Sequence, residues 1–277
     1  MQLRRLDDYQ SWEISHQGSV ILIDPWLTAE PISGSFAREH SPGFLTIDDV
    51  APPPVTLEAV LLCTSVNDHT RPASLRAIAA TAPATTVLGP RAAVRIARRA
   101  GLQHGQPVRP GDRHQWRTSA GSLLQVTVTR AGLPLGLIAV GYLIEAFEAP
   151  ANGTAQPGTP CGRVWIEPHQ PTARVAARLA PVDIAILPSE SVTAVIMPVT
   201  AGPKATSRAV QAASARILVP TATNPRRDMT SWQRLAYRVA GSEQGLQSML
   251  GPQTTLRSMT TGDVVALTSS TSGEDMA

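Results

Sequence analysis

The chain has 277 residues, of which 43% are hydrophobic and 16% charged, so it can bury a sizeable core and is not an intrinsically disordered chain. Its net charge of +3 comes from scattered arginines and a single lysine, without the basic stripe and interleaved aromatics of a nucleic-acid-binding surface, which argues against nucleic acid as a partner. No apolar run reaches the roughly 18–20 residues of a membrane span and the N-terminus lacks a signal-peptide core, so we expect a soluble cytoplasmic protein that does not enter a membrane.

Strands dominate the start of the chain. Short apolar or alternating segments predict strands at residues 2–6, 11–15, 20–23, 59–63 and 86–88. The Gln17-Gly18 step is typical of a hairpin turn. The polar, proline-rich segment 28–55 is predicted to be a loop. Helices with proline near the start are predicted over 72–80 and 90–100, the second closed by Gly101.

The second half begins with apolar residues that alternate from Ser122 to Phe147, which predicts an antiparallel hairpin. A Gly/Pro/Thr-rich loop follows at 150–160. Strands are then predicted at 163–166, 183–187 and 217–220, and helices at 173–179, 205–213, 231–239 and 242–250. A final hairpin is predicted from 255–259 and 264–267.

This order of elements favours an α/β fold with four layers, an αββα sandwich in which two mixed sheets pack together with helices outside. A simple doubly wound sheet fits less well because the chain opens with a β-meander and has a hairpin at 122–147. Neither a Walker A motif nor GxGxxG is present, so nucleotide-binding α/β folds have no support. We predict one domain over residues 1–267 and a flexible tail over 268–277.

Polar residues follow three of the predicted buried strands. Asp24 comes after Ile21-Leu22-Ile23, where it is either a turn-former or a functional carboxylate. Asp68 and His69 follow the next strand, and they either cap the helix after them or serve in metal binding or acid/base chemistry. Glu167 and His169 flank Pro168 at the end of a later strand.

Taken in order, these segments resemble the metallo-β-lactamase superfamily, over roughly residues 10–225. That family carries an HxHxDH motif after its second strand. The corresponding positions here are Thr64, Val66, Asp68 and His69, so the first two histidines are absent. The family's downstream histidine has no counterpart around 130–137, and its last histidine is replaced by the segment 221–224, Thr-Ala-Thr-Asn.

The chain is similar in particular to a cyanobacterial and plastid branch described as metallo-hydrolase-like. Members of that branch have an Asp-His pair before a proline-led helix and a Glu-Pro-His sequence after a later strand. The resemblance implies the αββα fold, and it places the family's bridging aspartate near Glu167 to His169.

The ligands that are left are too few for two metals, since each metal needs at least three protein ligands. Our first hypothesis is a hydrolase-like protein with one divalent metal, Zn, Mn or Fe, that activates water. The candidate ligands are Asp68, His69 and His169, with Glu167 as a substitute for His169 and Asp24 as a further ligand.

The alternative hypothesis needs no metal. Asp68 would then orient His69 as a general base while Glu167 or His169 supplies the acid, for a hydrolytic or a non-hydrolytic step. A third interpretation is a protein that binds a small molecule or a partner and has kept the fold without catalysis. All three take a small molecule or partner as the ligand, and the oligomeric state is left open.

The other histidines and the cysteines carry no spacing that indicates a site. We expect the two cysteines, Cys63 and Cys161, to be small buried apolar residues in or beside strands. Four histidines fall in predicted loops: His16, His40, His104 and His114.

Overall fold

The computed structural model describes residues 1–29, 44–50, 55–149, 159–222, 229 and 231–267. Most of the predicted loop 28–55, most of the loop 150–160, residues 223 and 224, His40 and the predicted tail 268–277 lie outside the described residues. In the part that is described, no helix is both long enough and apolar enough to cross a membrane.

The first sheet is built mainly from the beginning of the chain. Its seven strands among the described residues are β1 (Gln2–Arg5), β2 (Trp12–His16), β3 (Ser19–Ile23), β4 (Thr56–Leu61), β5 (Thr86–Gly89), β6 (Gly105–Pro107) and β17 (Val264–Ala266). The order is β17-β1-β2-β3-β4-β5-β6, antiparallel as far as β3 and parallel beyond it. Gln17 and Gly18 have φ of 45° and 81°, the left-handed values that a two-residue hairpin turn requires, so the predicted turn is confirmed.

The second sheet comes from the later part of the chain. Its seven strands within the described ranges are β7 (Arg113–Arg117), β8 (Leu123–Arg130), β9 (Val140–Phe147), β10 (Gly162–Ile166), β11 (Ile184–Pro188), β14 (Ile217–Thr221) and β16 (Thr255–Leu256). The order is β16-β14-β11-β10-β9-β8-β7. Strands β7 to β10 are antiparallel neighbours, whereas β10, β11, β14 and β16 run parallel. The alternating segment 122–147 therefore forms the predicted hairpin.

A third, small sheet was not predicted from the sequence. It consists of β12 (Glu190–Ala194), β13 (Met197–Thr200) and β15 (Tyr237–Gly241), in the order β13-β12-β15. The helix predicted over 231–239 ends at Ala236, because the next five residues pair with β12 along its whole length. Strand pairing between distant segments here overrides the local helical pattern.

The helices lie outside the two large sheets. In the described chain the α-helices are α1 (Pro72–Thr81), α2 (Arg91–Arg99), α3 (Ala173–Leu179), α4 (Pro203–Ala212), α5 (Ser231–Ala236) and α6 (Glu243–Gln247), and two 3-10 turns span Ile47–Asp49 and Leu135–Leu137. One apolar cluster fills the space between the two sheets, and it includes Trp12, Ile21, Tyr142 and Ile166. Two further clusters join α1 and α2 to the first sheet, and α3, α4 and α6 to the second. The four-layer αββα sandwich is thus the observed architecture.

The predicted final hairpin is wrong. The segment at 255–256 adds to β14 in the second sheet, whereas 264–266 adds to β1 in the first. Both segments have strand-like sequences, but each covers an open edge of a different sheet instead of pairing with the other. The expectation that His16 and His114 lie in loops is also wrong, since they belong to β2 and β7; His104 does lie in a loop.

Candidate active site

Asp24 directly follows β3 and is buried. Its φ of 46° lies in the left-handed region, which aspartate tolerates better than most residues. One carboxylate oxygen, Oδ1, accepts a hydrogen bond from the Cys63 amide at 2.8 Å, and Oδ2 lies 2.7 Å from Nδ1 of His69. Its backbone carbonyl accepts a hydrogen bond from Ser11 Oγ at 2.8 Å. Asp24 therefore joins the end of β3 to the segment after β4.

His69 is held between carboxylates. Its Nδ1 faces Asp24, and its Nε2 lies 4.0 Å from Oδ1 of Asp68. Burial by itself lowers the pKa of His69, but the charges of Asp24, Asp68 and Glu167 and the hydrogen bond to Asp24 together outweigh burial, so the pKa is raised above the usual value. Nδ1 therefore pairs with Asp24, and Nε2 lies on the side of Asp68.

Asp68 is positioned by the loop between β1 and β2. The backbone carbonyl of Asp68 accepts a hydrogen bond from Gln10 Nε2 at 2.6 Å, and Tyr9 Oη donates to Asp68 Oδ2 at 3.5 Å. Asp7 organises that loop, because its Oδ1 accepts the amides of residues 9, 10 and 11 at 2.9, 2.8 and 2.9 Å. The other oxygen of Asp68, Oδ1, is buried and has no hydrogen-bond partner among the described residues.

A tyrosine from the third sheet also borders Asp68. Tyr237 begins β15, and burial raises the pKa of its phenol, with a further rise from the charge of Asp68. The hydroxyl is therefore neutral at physiological pH and is able to donate a hydrogen bond. The sequence gives no sign of this residue's place in the site, since its local pattern is that of a helix.

Glu167 and His169 follow β10 and are buried. Glu167 Oε1 accepts the amides of His169 and Gln170 at 3.0 and 3.3 Å. Nδ1 of His169 lies 3.7 Å from that oxygen, and the His69 and His169 rings are 4.6 Å apart between centroids. In the described chain, Glu167 Oε2 and His169 Nδ1 have no hydrogen-bond partner.

Gly141, the second residue of β9, leaves room beside Glu167. A Cβ at this position would lie 2.6 Å from the Ile166 carbonyl, 2.6 Å from Thr129 Oγ1 and 2.9 Å from Glu167 Oε2. All three distances are too short for a side chain. A glycine inside a strand is a sequence signal of close approach, and it would have pointed to this wall of the site.

All five residues singled out in the sequence meet in one buried place. The alternative in which Asp68 and His69 cap the following helix is wrong, because α1 has Arg71 as its N-cap and no side-chain cap.

Threonine occupies two positions at which the metallo-β-lactamase superfamily has histidine, and both threonine side chains make hydrogen bonds within the protein. Thr64 Oγ1 donates to the Ile138 carbonyl at 3.3 Å, and Trp12 Nε1 donates to Thr221 Oγ1 at 3.3 Å.

The donor set is too small for two metals. His69 Nε2, Asp68 Oδ1, Glu167 Oε2 and His169 Nδ1 supply two nitrogens and two oxygens, and the last three atoms have no hydrogen-bond partner within the described part of the chain. Two metals would need about six ligands. The set is not closed in this arrangement. Among the described residues, no three of these four donor atoms lie within 4.8 Å of one another.

No protein-family model matches the chain, and no curated protein sequence matches it. Solved structures do match. They include the diiron β-hydroxylase CmlA from Streptomyces venezuelae, with TM-score 0.64 and 16% identity over 96% of this chain and 54% of that one. An isothiocyanate hydrolase from Delia radicum gut bacteria has TM-score 0.62 and 15% identity over 97% and 100%. The metallo-β-lactamase fold protein YhfI from Bacillus subtilis has TM-score 0.59 and 10% identity over 96% and 99%.

The architecture and these likenesses define the class: the chain has the metallo-β-lactamase fold. The chain spans about half the length of CmlA, whereas it spans nearly all of the hydrolase and of YhfI. At 10–16% identity the likeness concerns the fold, so the activity has to be argued from the site itself.

Proposed function

We propose that the chain is a hydrolase-like protein in which Asp68, His69 and His169, with Glu167 beside them, bind a single divalent metal. The observation that carries this proposal is the Asp24–His69 pair. Its 2.7 Å contact occupies Nδ1 and leaves Nε2 directed toward Asp68. A carboxylate that orients a metal-ligating imidazole in this way is a recurrent feature of metal sites.

In this proposal Asp24 has a positioning role instead of the ligand role expected from the sequence. Both of its oxygens already accept hydrogen bonds, from the Cys63 amide and from His69. The remaining nitrogens and oxygens suit zinc, manganese or iron. A metal bound there would supply Lewis-acid activation of water and of an electrophilic substrate, and with zinc the pKa of the bound water would fall to about 7.

The residues of this chain have further tasks in the proposed reaction. The hydroxyl of Tyr9 donates to Asp68 Oδ2 at 3.5 Å and helps to hold this carboxylate in place, and the neutral phenol of Tyr237 lies near enough for the charge of Asp68 to raise its pKa. Glu167 Oε2, which has no hydrogen-bond partner in the described chain, is outside the three proposed ligands Asp68, His69 and His169, and in this role it takes up a proton from an attacking water. The burial of all four side chains excludes bulk water, which strengthens each of these interactions.

A second candidate function needs no metal. It is supported by the raised pKa of His69 and by the spacing of the four donor atoms, no three of which lie within 4.8 Å of one another in the described chain. In that case Asp24, whose Oδ2 lies 2.7 Å from Nδ1 of His69, orients the imidazole as the acid or base. The sequence led us to expect Asp68 in this role, but its Oδ1 lies 4.0 Å from Nε2. A protein that only binds a small molecule or partner is the non-catalytic form of this alternative.

Metal content separates the two candidates. We would measure it by inductively coupled plasma mass spectrometry on protein made without a histidine tag or chelator, after loading with zinc, manganese or iron. Asp68→Asn and His169→Gln would be compared with His104→Ala, whose histidine is exposed in a loop. The proposal expects both site variants to bind one equivalent less metal than the wild type, and the control to bind as much as the wild type.

If the two site variants bind as much metal as the wild type, the one-metal proposal is wrong and the acid/base candidate takes its place. If they lose it, esters, lactones and phosphodiesters are the substrates to screen. The cytoplasmic location, the small-molecule ligand and the likeness to the cyanobacterial and plastid branch stay predictions from the sequence.

A further inference from the structure

A second cluster of metal-ligating side chains lies away from the candidate active site. It borders a cavity of about 560 Å³ lined by residues that include Met1, Arg4, Glu13, His16 and Glu148. The three side chains of the cluster are His16, Glu148 and Cys161, and one ligand atom from each lies within 4.8 Å of the other two. None of these residues belongs to the proposed hydrolase site.

His16 reaches this place because it is the last residue of β2. The tight turn at Gln17-Gly18 returns the chain at once into β3, so the imidazole lies at the end of the first sheet. The residue is only 4% exposed, and Nε2 has no hydrogen-bond partner among the residues the structure describes. A buried imidazole nitrogen without a partner has a lone pair that a metal ion could use.

Glu148 and Cys161 arrive from the second sheet. Glu148 directly follows β9 and Cys161 directly precedes β10, and these antiparallel strands pair with Gly162 opposite Ala146. The Cys161 amide and thiol both donate to the Ala146 carbonyl, at 2.8 and 3.3 Å. Gln17 Nε2 donates to Glu148 Oε2 at 2.6 Å and so holds the carboxylate beside the β2–β3 turn. The cluster thus joins the ends of the two large sheets.

We propose that His16 Nε2, Cys161 Sγ and a carboxylate oxygen of Glu148 form a Zn²⁺ site whose fourth position opens to the cavity. Imidazole, thiolate and carboxylate are the three ligand types that zinc accepts, and three protein ligands with an open position describe a zinc site able to bind a further molecule. The Cys161 thiol loses its proton to solvent as the Zn–S bond forms.

The mixed ligand set also sets this site apart from the first one. The proposed hydrolase site has only nitrogen and oxygen ligands, whereas this one includes a sulfur. A thiolate selects zinc over magnesium, calcium and manganese. Because its ligands come from both sheets, bound zinc would link the two sheets at this end of the sandwich and stabilise the folded chain.

Cobalt provides the test, since a cobalt–thiolate bond gives a near-ultraviolet charge-transfer absorption that nitrogen and oxygen ligands do not give. The full chain, freed of metal, would be titrated with Co²⁺ and then with Zn²⁺. We expect the absorption to rise with added cobalt to a plateau and to disappear when zinc displaces the cobalt. Cys161→Ser should abolish it, and His16→Gln and Glu148→Gln should weaken cobalt binding by at least about tenfold.

Two controls keep the result specific. Cys63→Ala, which removes the other thiol, and Asp68→Asn, in the proposed hydrolase site, should both keep the absorption. A wild-type chain that shows no thiolate absorption in excess cobalt would overturn the proposal, as would an absorption that survives in Cys161→Ser. Glu148 is exposed, so its variant should fold normally, and a Glu148→Gln chain that binds cobalt as tightly as the wild type would remove Glu148 from the site.

Discussion

The Oδ2 atom of Asp24 lies 2.7 Å from Nδ1 of His69, and both side chains are buried. This contact connects the ends of two neighbouring parallel strands, β3 and β4, and it is the pair on which the candidate active site is built. It also explains why a carboxylate is placed in a left-handed backbone conformation after β3.

Asp24→Asn should be strongly destabilising. The variant keeps an acceptor for the Cys63 amide but removes the charge that balances the His69 imidazolium, and breaking one side of a buried ion pair costs about 3 kcal/mol. Urea denaturation of the metal-free protein would measure this loss. Asp48→Asn, at an exposed position, is the control and should change the free energy of unfolding very little. Equal stabilities of the two variants would contradict the importance of the pair.

The contribution of His69 to stability should depend on pH in one direction. Its pKa in the folded chain is raised above the unfolded value of about 6.5, so the folded state binds the proton more tightly. The resulting stabilisation is complete below the unfolded pKa and is lost as pH rises through the folded pKa.

Denaturation of wild type and His69→Gln in the presence of a chelator, at pH values from about 5.5 to 9, would test this expectation. The wild type should lose more stability than the variant as the pH increases. A stability difference that stays constant or grows with pH would show that His69 is not held as an imidazolium by its carboxylate neighbours.

Gly141→Ala should disturb both the fold and the site. The added Cβ would lie within 3 Å of the Ile166 carbonyl, Thr129 Oγ1 and Glu167 Oε2, and a backbone carbonyl cannot rotate away as a side chain does. Overpacking of this kind costs about 1–3 kcal/mol. The matched control is Gly251→Ala, where nothing lies within 4 Å of the added Cβ. Thermal melting should show a clear loss for the first variant and almost none for the second.

Cys161 should react slowly with iodoacetamide at neutral pH in metal-free protein. Burial and the neighbouring Glu148 raise the pKa of its thiol to about 11, so little of the reactive thiolate exists at pH 7.5. The alkylation rate, followed by intact mass, should increase about tenfold per pH unit over the range below that pKa. Glu148→Gln should lower the pKa and speed the reaction, and Cys161→Ser should remove it. A rate that does not change with pH would contradict the raised pKa.

Asp7→Ala should loosen the loop that holds Asp68. It removes the oxygen that accepts three backbone amides, and each buried amide left without a partner costs about 1–3 kcal/mol. Asp112→Ala is the comparison, since Asp112 accepts one amide, that of Arg109, in an exposed turn. Chemical denaturation should show the Asp7 variant as much the less stable of the two. Equal losses would mean that the amides near Asp7 find other partners.

The sequence by itself determined the four-layer architecture and which polar residues follow the buried strands and lie together. Both follow from local periodicity, which can be read from consecutive residues. The relevant patterns are the apolar alternation from Ser122 to Phe147 and the apolar runs before Asp24, Asp68 and Glu167. Since parallel strands end at the same edge of a sheet, polar residues placed after them could be expected to meet.

Only the tertiary structure decided which of these groups pair. Asp24 Oδ2 lies 2.7 Å from Nδ1 of His69 and Asp68 Oδ1 lies 4.0 Å from Nε2, and sequence spacing does not specify which carboxylate faces which nitrogen. The last two strands joined different sheets, and β15 replaced the end of a predicted helix, since an open sheet edge offers hydrogen bonds that local propensity cannot anticipate. His16, Glu148 and Cys161 come together for the same reason: two sheets must pack face to face before their ends can share a cavity.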